Sequence, residues 1–303
     1  MNEEYLWDRS GQPDEEIVRL ERLLAPLGRP EPVRVLRRRG LKRMWWLAAA
    51  AALIGGVVAT QFLLRGPLTS WQVSSGAKIR QGQWIDAGHI ESEDTGEVQI
   101  DPGSRLRLVA TNKNEERFDL SRGTIHAFIW APPGRFVVDT PSAKTIDLGC
   151  RYTLQVSQNG TGLLTVETGW VAFESHGVES FIPEGAACVT RPSRGPGTPY
   201  FADAPKALTA AIESFDTGSD PDALDRAVTS SRPRDALTLW HLLTRTNGER
   251  RAEVYDRFAG LVTLPREASR EAILRGDAKA FDAAWNALDL GTTDWWREWK
   301  RQW

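Results

Sequence analysis

Cysteine and histidine are scarce in this chain, two of the first and four of the second among 303 residues. Two cysteines, Cys150 and Cys188, cannot build a disulfide scaffold. The histidines, His89, His126, His176 and His241, stand singly and far apart. No C-x-x-C, H-E-x-x-H, G-x-S-x-G or Walker pattern occurs, so the sequence offers no motif for redox, zinc, acyl-transfer or phosphate chemistry. It reads as a non-enzyme with no catalytic, cofactor or metal site. The densest polar group, His89, Glu91, Glu93 and Asp94, has ligands for a hard cation but the setting of a solvated loop. An excess of positive charge is missing too. The net charge is −2, and beyond residue 64 the chain carries 28 Lys/Arg against 32 Asp/Glu. That balance argues against direct nucleic-acid binding.

Charge is absent altogether from Met44–Leu64, MWWLAAAAALIGGVVATQFLL, a run of 21 residues. As a helix it is roughly 31 Å long, close to the hydrocarbon thickness of a bilayer. Trp45 and Trp46 suit the headgroup layer, and Arg34, Arg37, Arg38, Arg39, Lys42 and Arg43 precede it. The positive-inside rule therefore predicts one transmembrane helix, with residues 1–43 cytoplasmic and residues 65–303 outside the cytoplasm. A cleaved signal peptide would lie nearer the start and have a shorter apolar core. Ala48, Ala52, Gly56 and Thr60 form a small-residue row that would let two spans pair as a homodimer.

In the cytoplasmic tail, Pro13 and the acidic Asp14, Glu15 and Glu16 mark a helix start. Ile17, Leu20, Leu24 and Leu27 recur at spacings of 3, 4 and 3, one apolar stripe that a helix of about three turns cannot bury alone. The stripe reads as a partner-binding face. The alternative is a helix lying on the membrane or on its own chain.

From Trp71 the hydrophobic period changes to two. Val98/Ile100, Leu106/Leu108, Phe118/Leu120, Phe136/Val138, Leu154/Val156, Leu164/Val166 and Val171/Phe173 alternate between turn signals, which predicts an all-β domain of sandwich, barrel or β-roll type. Gly82, Gly103, Gly123, Gly149 and Gly169 recur about every twenty residues. The segments FDLSRGTIHAFI (118–129), RFVVDTPSAKTIDLGCRYTLQV (135–156), LLTVETGWVAF (163–173) and IPEGAA (182–187) follow in order. Over these the chain resembles the FecR family of bacterial inner-membrane signal transducers. The match rests on Leu120, Gly123, Phe136, Val138, Thr140, Pro141, Gly149, Tyr152, Val156, Val166, Gly169, Val171 and Gly185, and with a weaker start it spans about residues 71–190. These are structural positions, apolar alternation plus glycines at turns. Cys150 stands where the family usually has Thr.

The resemblance implies a periplasmic domain that reads an envelope signal and a cytoplasmic segment that controls an extracytoplasmic-function sigma factor. The short tail departs from the family's larger helical cytoplasmic domain, and its lack of Cys and His excludes the zinc-binding kind. A receptor-contacting domain after the FecR region is not evident, so no siderophore signal carries over. In an oxidising compartment Cys150 and Cys188 could pair. Cys150 shares parity with Ile146, Leu148, Tyr152 and Leu154 and faces the core, whereas the facing of Cys188 is open; two buried thiols are the alternative.

RPSRGPGTPYFADAP (191–205) reads as a Pro/Gly linker, over 191–204, before a helical domain at 205–303. Helices are predicted at 205–216, 221–230, 234–246, 249–262, 266–275, 278–289 and 294–301, as antiparallel helical hairpins. Asp220-Pro221 is the expected cap of the second. The final WWREWKRQW would cap the bundle, or else reach the membrane surface or a partner.

Two functions follow as expectations. One is a signal transducer that senses in the periplasm and regulates a sigma factor through the tail. The other is an inner-membrane-anchored envelope scaffold that binds a glycan or an envelope protein. The orientation is testable. A reporter active only in the periplasm should work when fused after Trp303 and stay silent when fused at Gly28; the reverse pattern would overturn the topology.

Overall fold

A computed structural model describes residues 15–24 and 70–291. The chain divides into two units, Met1–Leu64 and Arg65–Trp303. In the first, the described element is the helix α1, Glu15–Leu24. The candidate span Met44–Leu64, Leu27 and the helix expected at 294–301 lie outside the described residues. Among the described residues no helix is long and apolar enough to cross a membrane.

Among the described residues of the second unit, fifteen strands precede the helices. The first eight are β1 Gln72–Val73, β2 Trp84–Ile85, β3 Gly88–Ser92, β4 Gly96–Ile100, β5 Arg105–Thr111, β6 Glu116–Ile129, β7 Phe136–Asp139 and β8 Lys144–Asp147. Then come β9 Arg151–Val156, β10 Gly162–Thr168, β11 Trp170–Ser175, β12 Val178–Pro183, β13 Ala186–Arg191, β14 Gly195–Pro196 and β15 Tyr200–Phe201. They form two layers. One contains β1, β3, β4, β9, β10, β13, β14 and β15. The other contains β2, β5, β7, β8, β11 and β12. The long strand β6 belongs to both. Inward side chains of both layers, among them Trp71, Ile100, Leu106, Phe118, Phe136, Tyr152 and Phe173, make one buried core. The alternation read from the sequence resolves as a sandwich.

The glycines of the motif mark where the chain changes layer. Within β6 the buried positions are 116, 118 and 120 before Gly123, and 125, 127 and 129 after it. A strand that crosses between layers must exchange its inward parity, and an irregular register there supplies the extra residue. Gly149 joins β8 to β9, Gly169 joins β10 to β11 and Gly185 joins β12 to β13, each again a passage from one layer to the other. All four have positive φ, between 76° and 96°.

The segment 191–204 is not a free linker. It supplies β14 and β15, which pair with β13, and Gly195–Pro199 are buried. Proline and glycine here form a tight edge of the sheet, because Thr198 donates its N–H and its hydroxyl to the Asp216 carboxylate, both at 2.7 Å. The helices are α2 Lys206–Thr217, α3 Ala223–Ser230, α4 Ala236–Arg245, α5 Gly248–Leu261, α6 Arg270–Arg275 and α7 Ala278–Asn286. Short 3₁₀ turns at Pro233–Asp235 and Arg266–Ala268 replace the expected starts of α4 and α6. Asp220 does not cap α3. Its Oδ1 accepts the Asp222 N–H at 2.9 Å in a turn, and the helix opens at Ala223. The helices do not stand apart from the sandwich: Leu237 and Trp285 belong to the β core.

The corner glycines differ in a way that mutation should reveal. At Gly149 (φ +89°) an added Cβ meets nothing within 4 Å, so only backbone strain opposes a side chain. At Gly169 (φ +79°) the Cβ would lie 2.3 Å from the Gly149 carbonyl oxygen and 3.0 Å from Cys150 Cα. Gly149→Ala should cost about 1–2 kcal/mol, whereas Gly169→Ala should cost about 3 kcal/mol or more. Denaturant midpoints of the two variants measure this; equal midpoints would contradict the corner geometry.

Candidate functional site

The first candidate is the apolar face of α1. No residue of this helix is buried. Leu20 and Leu24 are 55% and 54% exposed, Leu23 is 67% exposed, and Ile17 is half-buried. Glu15 and Glu16 lie in the first turn and Arg22 in the last, which suits the helix dipole. Ile17, Leu20 and Leu24 share one face by their spacing, and the fourth member of the stripe, Leu27, lies beyond the described residues.

The motif residues of the sandwich are structural in their contacts. Phe136 packs with Trp71 and Phe118, ring centroids 5.7 and 5.5 Å away. Val138, Val166 and Val171 are buried. Thr140 closes a tight turn at Pro141, its Oγ1 accepting the Ala143 N–H at 3.0 Å. Beside this cluster lies a buried acid, Glu116, not singled out from the sequence. Glu116 accepts from the Trp71 indole N–H (2.5 Å), the Thr95 hydroxyl (2.8 Å) and the Arg135 guanidinium (3.2 Å). Its place in the inward parity of Phe118 and Leu120 was the available signal.

The candidate disulfide is not formed: Cys150 and Cys188 are free and buried. Leu164 lies opposite both Leu154 and Cys188, so Cys188 is two strands across from Leu154 and four residues along from Cys150. Strand spacings put the two thiols on the order of 15 Å apart, too far to bridge. Cys150 instead donates to Asp147 Oδ2 (2.5 Å), and Cys188 to the Gly197 carbonyl (3.1 Å). Burial pushes the Cys188 thiol up to about 12 and the Cys150 thiol well above its usual range. Burial thus disfavours the thiolate that a nucleophilic cysteine needs.

The second candidate lies where the sandwich meets the helices. A cavity of about 820 Å³ is bounded by β12, the β13–β14 turn, α2, α4 and α7. Its apolar wall is Phe181, Phe215, Trp240 and Trp285. Trp240 and Trp285 pack edge to face at 4.8 Å, and Phe181 meets Trp285 at 5.6 Å. Both indole N–H groups are engaged elsewhere, with the carbonyls of Phe281 and Gly291 at 3.0 Å. Arg191, Arg194 and Arg245 contribute positive charge, and Glu179, Asp216 and Asp282 negative charge. Arg245 binds the Thr198 hydroxyl (2.8 Å), the Ser180 hydroxyl (2.6 Å), the Gly197 carbonyl (2.9 Å) and Asp216 (3.4 Å). His241, which sequence spacing left without a role, accepts the Phe181 N–H at Nε2 (3.1 Å) and donates from Nδ1 to the Leu237 carbonyl (2.9 Å). It thereby satisfies the outer edge of β12.

Among the described residues no cluster of three or more His, Cys, Asp or Glu could hold a metal. His89 faces Glu97 at 3.8 Å, and His126 contacts Thr153 and Asp101 on the surface.

Residues 86–172 match the family model described as FecR protein. This part of the chain, less than a third of its length, is therefore a FecR domain, narrower than the 71–190 expected. Gly123, Gly149 and Gly169 fall inside the match and Gly185 beyond it. The chain is also similar to two crystal structures of a candidate anti-sigma factor from Parabacteroides distasonis. The 1.65 Å structure has 15% identity and a TM-score of 0.32, covering 45% of this chain and 63% of the other. The 2.50 Å structure has 14% identity and a TM-score of 0.33, covering 53% and 75%. The chain thus spans less than two thirds of the first, and likeness at this level carries nothing about this chain's partner. No curated protein matches the chain.

Two buried groups make stability depend on pH in opposite senses. Burial raises Asp147 from 3.8 to about 7, against the bonds from Cys150 and the Gly149 N–H. Its contribution is full below pH 3.8 and is lost as pH rises through about 7. Burial, aided by Arg245, lowers His241 from 6.5 to about 3. Its contribution is full above pH 6.5 and is lost as pH falls towards about 3. Relative to the parent, Asp147→Asn should lose stability between about pH 7 and about pH 4, and His241→Gln should gain it, each by on the order of a few kcal/mol. Urea midpoints across that range check the two slopes; slopes of the same sign would contradict the assignment.

Proposed function

We propose that this chain is a single-span inner-membrane regulator. In this reading its FecR-containing body senses a signal in the periplasm, and its tail helix holds an extracytoplasmic-function sigma factor in the cytoplasm. The observation that carries the reading is the exposed stripe of α1 in a chain that contains a FecR domain. Large apolar side chains more than half exposed on one helix face are a docking surface awaiting a groove. The uncharged run Met44–Leu64 and the Arg cluster before it support the separation of sensor from effector. A second reading, an anchored envelope scaffold that binds a glycan or an envelope protein, draws on the aromatic-walled cavity of the body.

Each apolar side chain of the stripe buried in a partner's groove would contribute about 1.5–3 kcal/mol. Leu20→Asp combined with Leu24→Asp should therefore abolish sigma-factor capture without affecting membrane insertion. Residues 1–43 are tested by two-hybrid assay against the sigma factors of the same cell, parent beside double mutant. If the parent tail captures none, the scaffold reading replaces this one. If the double mutant still binds, the stripe is not the docking face.

A further inference from the structure

We propose that the cavity between the sandwich and the helices is a binding site for a small neutral saccharide. It has the volume of a ligand site rather than a packing defect, about 820 Å³. Its two kinds of wall narrow the chemistry. Trp240 and Trp285 have their N–H groups committed to the Phe281 and Gly291 carbonyls, and Phe181 and Phe215 have none to offer. Trp285 is buried behind this wall, so the part-exposed rings of Phe181, Phe215 and Trp240 present the carbon surface, which suits the flat C–H face of a sugar ring.

The rest of the lining carries three guanidinium groups and three carboxylates. Guanidinium only donates hydrogen bonds and carboxylate only accepts them, whereas a hydroxyl does both. A neutral ligand rich in hydroxyls can meet groups of both kinds and brings no charge that the balanced lining would leave uncompensated. An aromatic acid would satisfy the arginines and oppose the carboxylates, and an amine would do the reverse. A peptide also donates and accepts, but one edge group that its usual route onto a sheet would use is taken here. The Phe181 N–H, which an added strand would use, is already bound to His241. Arg194 stands at the mouth on the β13–β14 turn, exposed, and donates to the Asp216 carbonyl at 3.3 Å. It is the cavity cation most open to an incoming hydroxyl, because Arg191 is paired with Glu213 and Arg245 with Asp216.

This inference concerns the body alone and is tested with no sigma factor present, so it stands or fails apart from the regulatory reading. The full chain, held in a detergent without sugar headgroups, is titrated with maltotriose, cellotriose and chitotriose, and with trialanine for comparison. Tryptophan fluorescence and calorimetry are read together. At least one saccharide should bind saturably, with little change between about 50 and about 500 mM salt. Arg194→Ala, an exposed position that leaves the fold intact, should weaken that binding about tenfold, or about 1.4 kcal/mol. Trp240→Leu should weaken it further. The proposal is overturned if no saccharide binds, if trialanine alone binds, or if Arg194→Ala binds as tightly as the parent.

Discussion

The body of this protein depends on one part-buried cation. Arg245, at the end of α4, is 13% exposed and holds the Ser180 hydroxyl of β12, the Gly197 carbonyl, the Thr198 hydroxyl and the Asp216 carboxylate of α2. The two terminal nitrogens of this guanidinium carry all four of these bonds, and removing a partner of a charge withdrawn from water leaves an expensive orphan. The sheet edge, the turn after β14 and two helices must therefore all be in place before this charge is accommodated. The constraint explains why a segment as rich in proline and glycine as 191–204 is folded rather than loose. It also fixes one wall of the cavity.

The frame around this node comes from the corner glycines. A sandwich made by a chain that passes repeatedly between layers needs a residue that can turn with positive φ at each crossing. Gly123, Gly149, Gly169 and Gly185 occupy four such crossings. The FecR match covers the first three, so the family pattern is largely a record of how the chain turns. Function is then left to what the frame presents: a cavity in the body and, in the other unit, an amphipathic helix with its leucines exposed.

Much of this was legible in the sequence because it is local. Alternation at Val98/Ile100 or Leu164/Val166 locates strands, and the return to a 3.6-residue period locates α2 to α7 within a few residues. What escaped was non-local. Arg245 and Ser180 are 65 positions apart, and nothing near either predicts their bond. The same holds for His241 and Phe181. The composition of 191–204 suggested a linker because edge strands and linkers use the same residues, and only the Thr198–Asp216 bonds distinguish them. The two cysteines left a bridge and two buried thiols both open; strand order keeps them apart. Glu116 could have been found, since an acid in the inward parity of a strand demands partners.

Sandwich and helices form one cooperative body joined at Arg245. Native-state hydrogen exchange on the full chain tests it most directly, comparing the amides of β7 to β11 with those of α4 and α7. One body predicts that both groups open with the same free energy, within about 1 kcal/mol. Helices that exchange through a separate, lower-energy opening while the sheet stays protected would contradict it.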